Sequence, residues 1–309
     1  RLTNVPRVAV FEAPDVDSIY KVPIEFFDRD IDDLIADRFR LERNGIKIKK
    51  YQNLVEKYIN GKNLPIVTIG IVGKYENTDE AYLSLKEALL HAAVSNDVKV
   101  NICWLNAEKF TLEDLRNVNG VIVPGGFDSR GVEGKIKSIR WCREQKVPFL
   151  GICLGLQCAV IEFARNCMKI ESATSQEFDN NCEYPVIHFV DGQTCNIKKS
   201  GTMRLGAYDC ELEKDSIVRE LYKKKLISER HRHRYEVNNK FISDYAEKGF
   251  VVSGKNPESG LIEMMEMKRD IHPFFVGTQA HPEFKSRLGE PAPLFDGLVK
   301  HSFRHMSEK

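Results

Sequence analysis

Eight cysteines are present in 309 residues, yet no two stand as C-x-x-C. That absence argues against a zinc ribbon or a thioredoxin-type redox motif. No apolar run reaches the length of a membrane span, and no N-terminal stretch has the form of a signal peptide. The expectation is a chain in the reducing cytoplasm with free thiols and no membrane partner. Charge of one sign is also missing. Lys and Arg total 46 against 45 Asp and Glu, a net of +1, so a nucleic-acid partner is not expected. Repeats and low-complexity segments are absent. So is G-x-x-x-x-G-K-[ST], the loop that cradles nucleotide phosphates. The chain opens on Arg1, not Met, and reads as a piece of something longer.

What is present falls into two parts. Residues 1–64 show a short apolar stretch at 8–11, expected as a strand, then a polar connector over 15–23. An amphipathic period over 28–41 carries Ile31, Leu34, Ile35 and Phe39 near one face. Another helical stretch lies between Lys47-Ile48-Lys49-Lys50 and Asn60-Gly61-Lys62-Asn63. From Pro65 to 309 the pattern changes to alternating apolar runs and helical periods. Strands are expected at 66–72, 100–105, 120–123 and 149–152. Helices are expected at 79–94 and 132–144, with a short capped one opening at Thr111-Leu112-Glu113-Asp114. That alternation predicts an α/β fold with a doubly wound, mostly parallel sheet. Additional antiparallel strands are expected at 186–190, 203–209, 250–254 and 261–266. A further apolar run over 274–279 and a closing helix over 293–305 complete the chain.

Reactive groups in such sheets gather at the carboxyl ends of the strands. The sequence Gly151-Ile152-Cys153-Leu154-Gly155 lies there, between an apolar run and a helical period. Most cysteines in apolar segments are small buried hydrophobes. The two glycines and the strand-to-helix switch make Cys153 different, because they have the form of a nucleophile elbow. A helix N-terminus beside the sulfur favours the thiolate, the reactive form. A cysteine nucleophile needs a base, and the base an orienting partner. His281-Pro282-Glu283 supplies both types after the 274–279 run. His272-Pro273-Phe274 lacks the carboxylate and precedes that run. Pro124-Gly125-Gly126-Phe127 ends the 120–123 strand, and glycines there let backbone N–H groups approach a substrate oxygen. The N–H groups of Gly126 and Leu154 are the candidate oxyanion hole.

Taken in order, Pro124-Gly125-Gly126, Gly151-Ile152-Cys153-Leu154-Gly155 and His281-Pro282-Glu283 resemble the class I glutamine amidotransferase family. Three further stretches are similar to one branch of it, the CTP synthase family. They are Gly125 to Gly134, the run Arg230-His231-Arg232-His233-Arg234-Tyr235-Glu236-Val237-Asn238, and Gly73-Lys74-Tyr75. Asp15 to Pro23 is similar to the end of that family's amidoligase domain. The resemblance implies a flavodoxin-like glutaminase domain at 65–309, preceded by an amidoligase remnant and linker at 1–64. It implies a Cys153–His281–Glu283 triad that splits L-glutamine through a cysteinyl thioester and needs no metal. Gly126, Leu154, Gln157, Glu177 and Arg234 fall where the family binds glutamine. Their chemistry agrees, since a guanidinium suits the substrate carboxylate and a carboxylate suits its ammonium. In the intact family enzyme, ATP with magnesium drives amination of UTP to CTP, GTP activates, and the chains form a homotetramer. Phe127 and Arg130 match the effector region, and Asp128 stands where bacterial members tend to have glycine. The missing phosphate loop implies that this stretch of chain does not bind ATP as the intact enzyme does. Two other readings remain at this point: a glutaminase serving another synthetase, and a non-catalytic filament or assembly module.

Overall fold

The computed structural model describes residues 5–42, 48–61, 63–74, 82–127, 129–189 and 203–308. Tyr75, Asp128, Val190 and the expected helix start at residue 79 lie outside them. Contacts divide the chain into two compact units, Arg1–Leu64 and Pro65–Lys309.

In the first unit, helices α1 (Val22–Phe27), α2 (Ile31–Phe39) and α3 (Ile48–Asn60) follow two single 3-10 turns. The expected strand at 8–11 is instead the turn Arg7–Ala9. Val8 and Val10 are exposed. A strand without a neighbour leaves its backbone polar groups unpaired, so extended propensity alone does not hold one. Among the unit's described residues, Val55 is the buried side chain.

The second unit turns its apolar runs into a nine-stranded sheet. Strands β1 (Ile66–Gly73), β2 (Lys99–Asn106), β3 (Gly120–Val123) and β4 (Phe149–Ile152) match the first four expected. Then come β5 (Ala173–Ser175), β6 (Tyr184–Phe189), β7 (Arg204–Leu212), β8 (Leu226–His233), β9 (Tyr235–Val237), β10 (Phe250–Lys255), β11 (Ile262–Met267) and β12 (Phe275–Thr278). The large sheet runs β2-β1-β3-β4-β12-β11-β10-β7-β8. Pairing is parallel from β2 to β12 and antiparallel from β12 to β8. A small second sheet has the order β5-β6-β9.

Helices α4 (Leu83–Ser95), α5 (Val132–Gln145), α6 (Leu154–Asn166), α7 (Ile217–Tyr222), α8 (Ile242–Glu247) and α9 (Pro293–Ser307) cover the sheet. Buried residues of α5 and α6 build one apolar cluster with Val121, Val123 and Phe149. Those of α4 and α9 build the other with Ile122, Leu150 and Ile152. Alternate residues of β3 and β4 thus face opposite cores, which is why both strands read as unbroken apolar runs. The short helix expected at 111 is the 3-10 turn Glu113–Leu115, held by Asp114 Oδ2, which accepts from Thr111 N and Oγ1.

One placement matters more than the rest. β12, far along the chain, enters the parallel sheet beside β4, with Thr278 opposite Ile152. The Cys153 N–H then donates to the Thr278 carbonyl at 2.7 Å. Segments more than a hundred residues apart therefore end at one point.

Candidate active site

Between β4 and α6 the chain reverses within one residue. Cys153 has φ 53° and ψ −105°, a conformation that costs a non-glycine residue and persists only where its surroundings impose it. The surroundings are backbone. A Cβ on Gly151 would stand 2.7 Å from the Gly155 carbonyl carbon and oxygen. One on Gly155 would stand 2.0 Å from the Val123 carbonyl oxygen. The first turn of α6 thus rests directly on β4 and β3, and both glycines are there for contact rather than flexibility. This close seating lifts Cys153 to the sheet's carboxyl edge while leaving it 3 % exposed.

His281 reaches the same edge from β12. Its N–H donates to the Arg230 carbonyl at 2.8 Å, and its ring lines the same cleft as Cys153. Nδ1 faces Glu283 Oε1 at 2.7 Å. An extended His281-Pro282-Glu283 segment would set the first and third side chains on one side. Instead Glu283 lies in the 3-10 turn Pro282–Lys285 and folds back onto the ring. Pro282 takes the first helical position, where its fixed φ and missing N–H favour such a turn. Burial lowers the affinity of the His281 ring for a proton, but its interactions with Cys153 and Glu283 outweigh that. The imidazole is carried up to about 10, as fits a ring stabilised in its charged form. His272 shows the contrast. Burial first pushes it down to about 4, while Nδ1 accepts from the Phe274 N–H and Nε2 donates to the Cys142 carbonyl. It is a neutral core histidine.

Two adjoining depressions share Gly126, Phe127 and Cys153. A cleft of about 390 Å³ also exposes Lys74, Arg232, His281 and Phe284. A narrow recess holds Gln157, Glu177, Arg234 and Tyr235. Gly125 sits over the pair: a Cβ there would stand 2.8 Å from His281 Cε1 and 3.4 Å from Cys153 Cβ. Gly126 lies against the Leu154 side chain. The structure therefore brings together Cys153, His281, Glu283, Gly126, Leu154, Gln157, Glu177 and Arg234. Such a site supports nucleophilic attack on a carbonyl, with a guanidinium and a carboxylate lining a recess that Cys153 also lines. The family model of the class I glutamine amidotransferases matches residues 78–301.

The chain belongs to the class I glutamine amidotransferases.

Within that family the relatives agree. A CTP synthase of Clostridium acetobutylicum is 44 % identical over 96 % of this chain and 56 % of its own length. One of Methanocaldococcus jannaschii is 45 % identical over 97 % and 56 %. The chain thus spans about half the length of the curated relatives it matches. Among solved structures, the glutaminase domain of Trypanosoma brucei CTPS with bound acivicin is 33 % identical, with a TM-score of 0.71. That likeness covers 77 % of this chain and 94 % of that one. This is a glutamine amidotransferase domain homologous to the glutaminase domain of CTP synthases.

In this amidotransferase the run 230–238 is no basic surface patch. It forms the end of β8 and all of β9, and along β8 the side chains alternate, with His231 and His233 buried and Arg230 and Arg232 exposed. Burial, aided by the Arg204 and His281 charges, pushes His231 down to about 3, so it is neutral. The Arg204 guanidinium bridges Glu236 at 3.0 Å and Glu263 at 2.7 Å. His231 Nδ1 meets His233 Nε2 at 2.9 Å. This buried network anchors both sides of the residue that offers its guanidinium to the recess. Sequence reading missed Arg204, Glu263 and Gln279. For Gln279 a signal existed, since an amide closing an apolar run must be partnered if buried.

Glu283→Gln keeps the shape of the His281 contact but removes its charge. Glutamine turnover is expected to fall about 10- to 100-fold, with KM within about two-fold of wild type. Steady-state ammonia release checks this. An unchanged kcat would remove Glu283 from the machinery.

Proposed function

We propose that residues 65–309 hydrolyse L-glutamine through a cysteinyl thioester. The observation that carries this reading is Cys153 at a strained strand-to-helix turn, in one cleft with a His281 that Glu283 holds. The Cys153 thiolate attacks the side-chain amide carbon of glutamine, and the carbonyl electrons move to oxygen. The N–H groups of Gly126 and Leu154 hold that oxyanion. His281, as imidazolium, gives its proton to the amide nitrogen as the C–N bond breaks and ammonia leaves. Neutral His281 then takes a proton from water, which attacks the thioester, and glutamate departs. Glu283 orients the ring through Nδ1 and balances its charge. Arg234 binds the substrate α-carboxylate, Glu177 its ammonium, and Gln157 lines the recess between them. No metal enters these steps.

The same reading extends to the longer protein. The ammonia passes to an amidoligase domain, where ATP and magnesium activate UTP and CTP forms. GTP acts as activator near Phe127 and Arg130. Residues 1–64 are the end of that amidoligase domain with its linker. The exposed Ile19, Phe26, Ile35 and Phe39 support this, as apolar side chains that a larger domain would cover. The intact protein is a cytoplasmic homotetramer.

Arg234→Lys tests the substrate assignment. A guanidinium grips a carboxylate through two parallel bonds, and an ammonium cannot. KM for glutamine is expected to rise about ten-fold or more while kcat changes by less than about three-fold. Steady-state ammonia release from glutamine and from its decarboxylated analogue reads both. If wild type and variant discriminate the two substrates equally, Arg234 does not bind the carboxylate. If wild type releases no ammonia, the functional reading fails.

A further inference from the structure

Both N–H groups of the Gln157 side chain are committed. One donates to the Tyr235 carbonyl at 2.9 Å, the other to Gln279 Oε1 at 3.2 Å. A backbone carbonyl only accepts, so it decides which end of Gln157 is nitrogen. That choice passes along. Gln279 must turn its oxygen to Gln157, and its nitrogen then faces Cys153 Sγ, 3.6 Å away. Gln279 is 0 % exposed and Gln157 2 %, so water does not compete for these bonds. The row Tyr235 carbonyl, Gln157, Gln279, Cys153 therefore has one polarity, and it ends with a donor aimed at sulfur.

The backbone holds the last member in place. The Gln279 N–H donates to the Glu263 carbonyl at 2.8 Å, on neighbouring β11. The position follows Thr278, whose carbonyl takes the Cys153 N–H. Gln279 and Cys153 are thus fixed relative to each other by main chain, and the side-chain contact is preorganised rather than adaptive. As a thiol, Cys153 can donate to the Arg232 carbonyl at 3.9 Å. As a thiolate it can only accept, and a bond from an amide strengthens when its acceptor is charged.

We propose that Gln279 is a donor to the Cys153 sulfur, oriented by Gln157 and the Tyr235 carbonyl, that stabilises the attacking thiolate. This rests on the reading of Cys153 as the nucleophile. Gln157 then serves two ends: its nitrogen sets the donor on sulfur, and what it offers a substrate comes from its carbonyl oxygen. Tyr235 adjoins Arg234, so the segment that binds the substrate carboxylate also terminates the row that addresses the nucleophile.

The experiment uses the full 309-residue chain and iodoacetamide, which needs no glutamine pocket to react. Alkylation at Cys153 is followed by peptide mass spectrometry, with the partly exposed Cys182 as internal reference. Gln279→Met matches the length without a donor, and Gln279→Glu turns an acceptor toward sulfur. Alkylation of Cys153 should slow about ten-fold in the Met variant and further in the Glu variant. Cys182 should be unchanged, kcat should fall with the alkylation rate, and KM should stay within about two-fold. Gln157→Leu, which leaves Gln279 but frees its amide to turn, should also slow Cys153. The Gln157→Leu/Gln279→Met double variant should be no slower than the slower single one. If the Glu variant does not fold, the Met variant decides alone. Cys153 alkylation within about two-fold of wild type, faster alkylation at both cysteines, or additive losses in the double variant would overturn the proposal. Full hydrolysis by Cys153→Ala would instead sink the reading of Cys153 as nucleophile, and the alkylation rates would still report on the Gln279 contact.

Discussion

Cys153→Ala is expected to lower glutamine hydrolysis by about 10⁴-fold or more, because the steps through the thioester have no other nucleophile to use. Labelling by an electrophilic glutamine analogue should vanish with it. The reason lies in the neighbours as much as in Cys153. Cys158 is five residues on, in α6, and burial pushes its thiol up to about 12. Cys142 is fully enclosed, and burial raises its thiol well above the usual range. Both remain protonated at neutral pH and are poor nucleophiles. The loss should not come from unfolding. The substitution removes one buried sulfur, a change worth about 1 kcal/mol, and alanine faces the same backbone angles as cysteine. Mass spectrometry of the labelled wild-type protein locates the adduct. An adduct on Cys142 or Cys158 would overturn the assignment.

Gly155→Ala should be nearly as damaging to activity, by a different route. The new methyl would lie 2.0 Å from the Val123 carbonyl oxygen. That oxygen belongs to backbone in the middle of the sheet and cannot swing aside as a side chain could. Either α6 lifts off β3 and β4 or the strand shifts. Such overpacking costs about 3 kcal/mol, a fall of roughly 10 °C in the melting temperature for a domain of this size. Any lift of α6 also carries the Leu154 N–H and Cys153 away from Gly126 and His281. A misplacement of about 1 Å at a reacting group costs about 100-fold in rate, so kcat should fall by at least that much even in the folded fraction. Thermal unfolding and ammonia release measure the two effects. A variant with wild-type melting temperature and turnover would show that the seating of α6 on β3 does not set the nucleophile.

Much of the site was legible because its pieces carry local signatures. Gly151-Ile152-Cys153-Leu154-Gly155 announces a strand-to-helix reversal. Pro124-Gly125-Gly126 marks a strand end with room for a substrate. The alternation of apolar runs and helical periods from 66 to 152 gives strands in their observed places. Element edges moved by one to three residues, as for β7, which runs Arg204–Leu212 against the expected 203–209. Where local signals misled, a neighbour was missing or added. Residues 8–11 have strand-forming side chains and no strand to pair with. Arg230 to Arg234 are basic in composition, yet β8 runs through them and buries His231 and His233 between the exposed Arg230 and Arg232, because only the strand's pairing with β7 fixes which side faces inward.

By itself the sequence determined the candidate reactive groups: a cysteine between two glycines at a turn, a histidine with a carboxylate two residues on, and glycines after a strand. These depend on backbone sterics and side-chain chemistry over a few residues, and such information is local. Tertiary structure decided how they meet. β12 could have joined either edge of the sheet or stayed with the antiparallel strands. It pairs with β4 on one side and β11 on the other, and that puts the Thr278 carbonyl on the Cys153 N–H and His281 beside the sulfur. Strand order is a matter of non-local pairing, and nothing in the 274–279 run names its neighbour. The same holds for Gln279. Its role depends on Gln157, on the Tyr235 carbonyl and on a sulfur 126 positions away, and buried hydrogen bonds acquire direction only when every partner is in place.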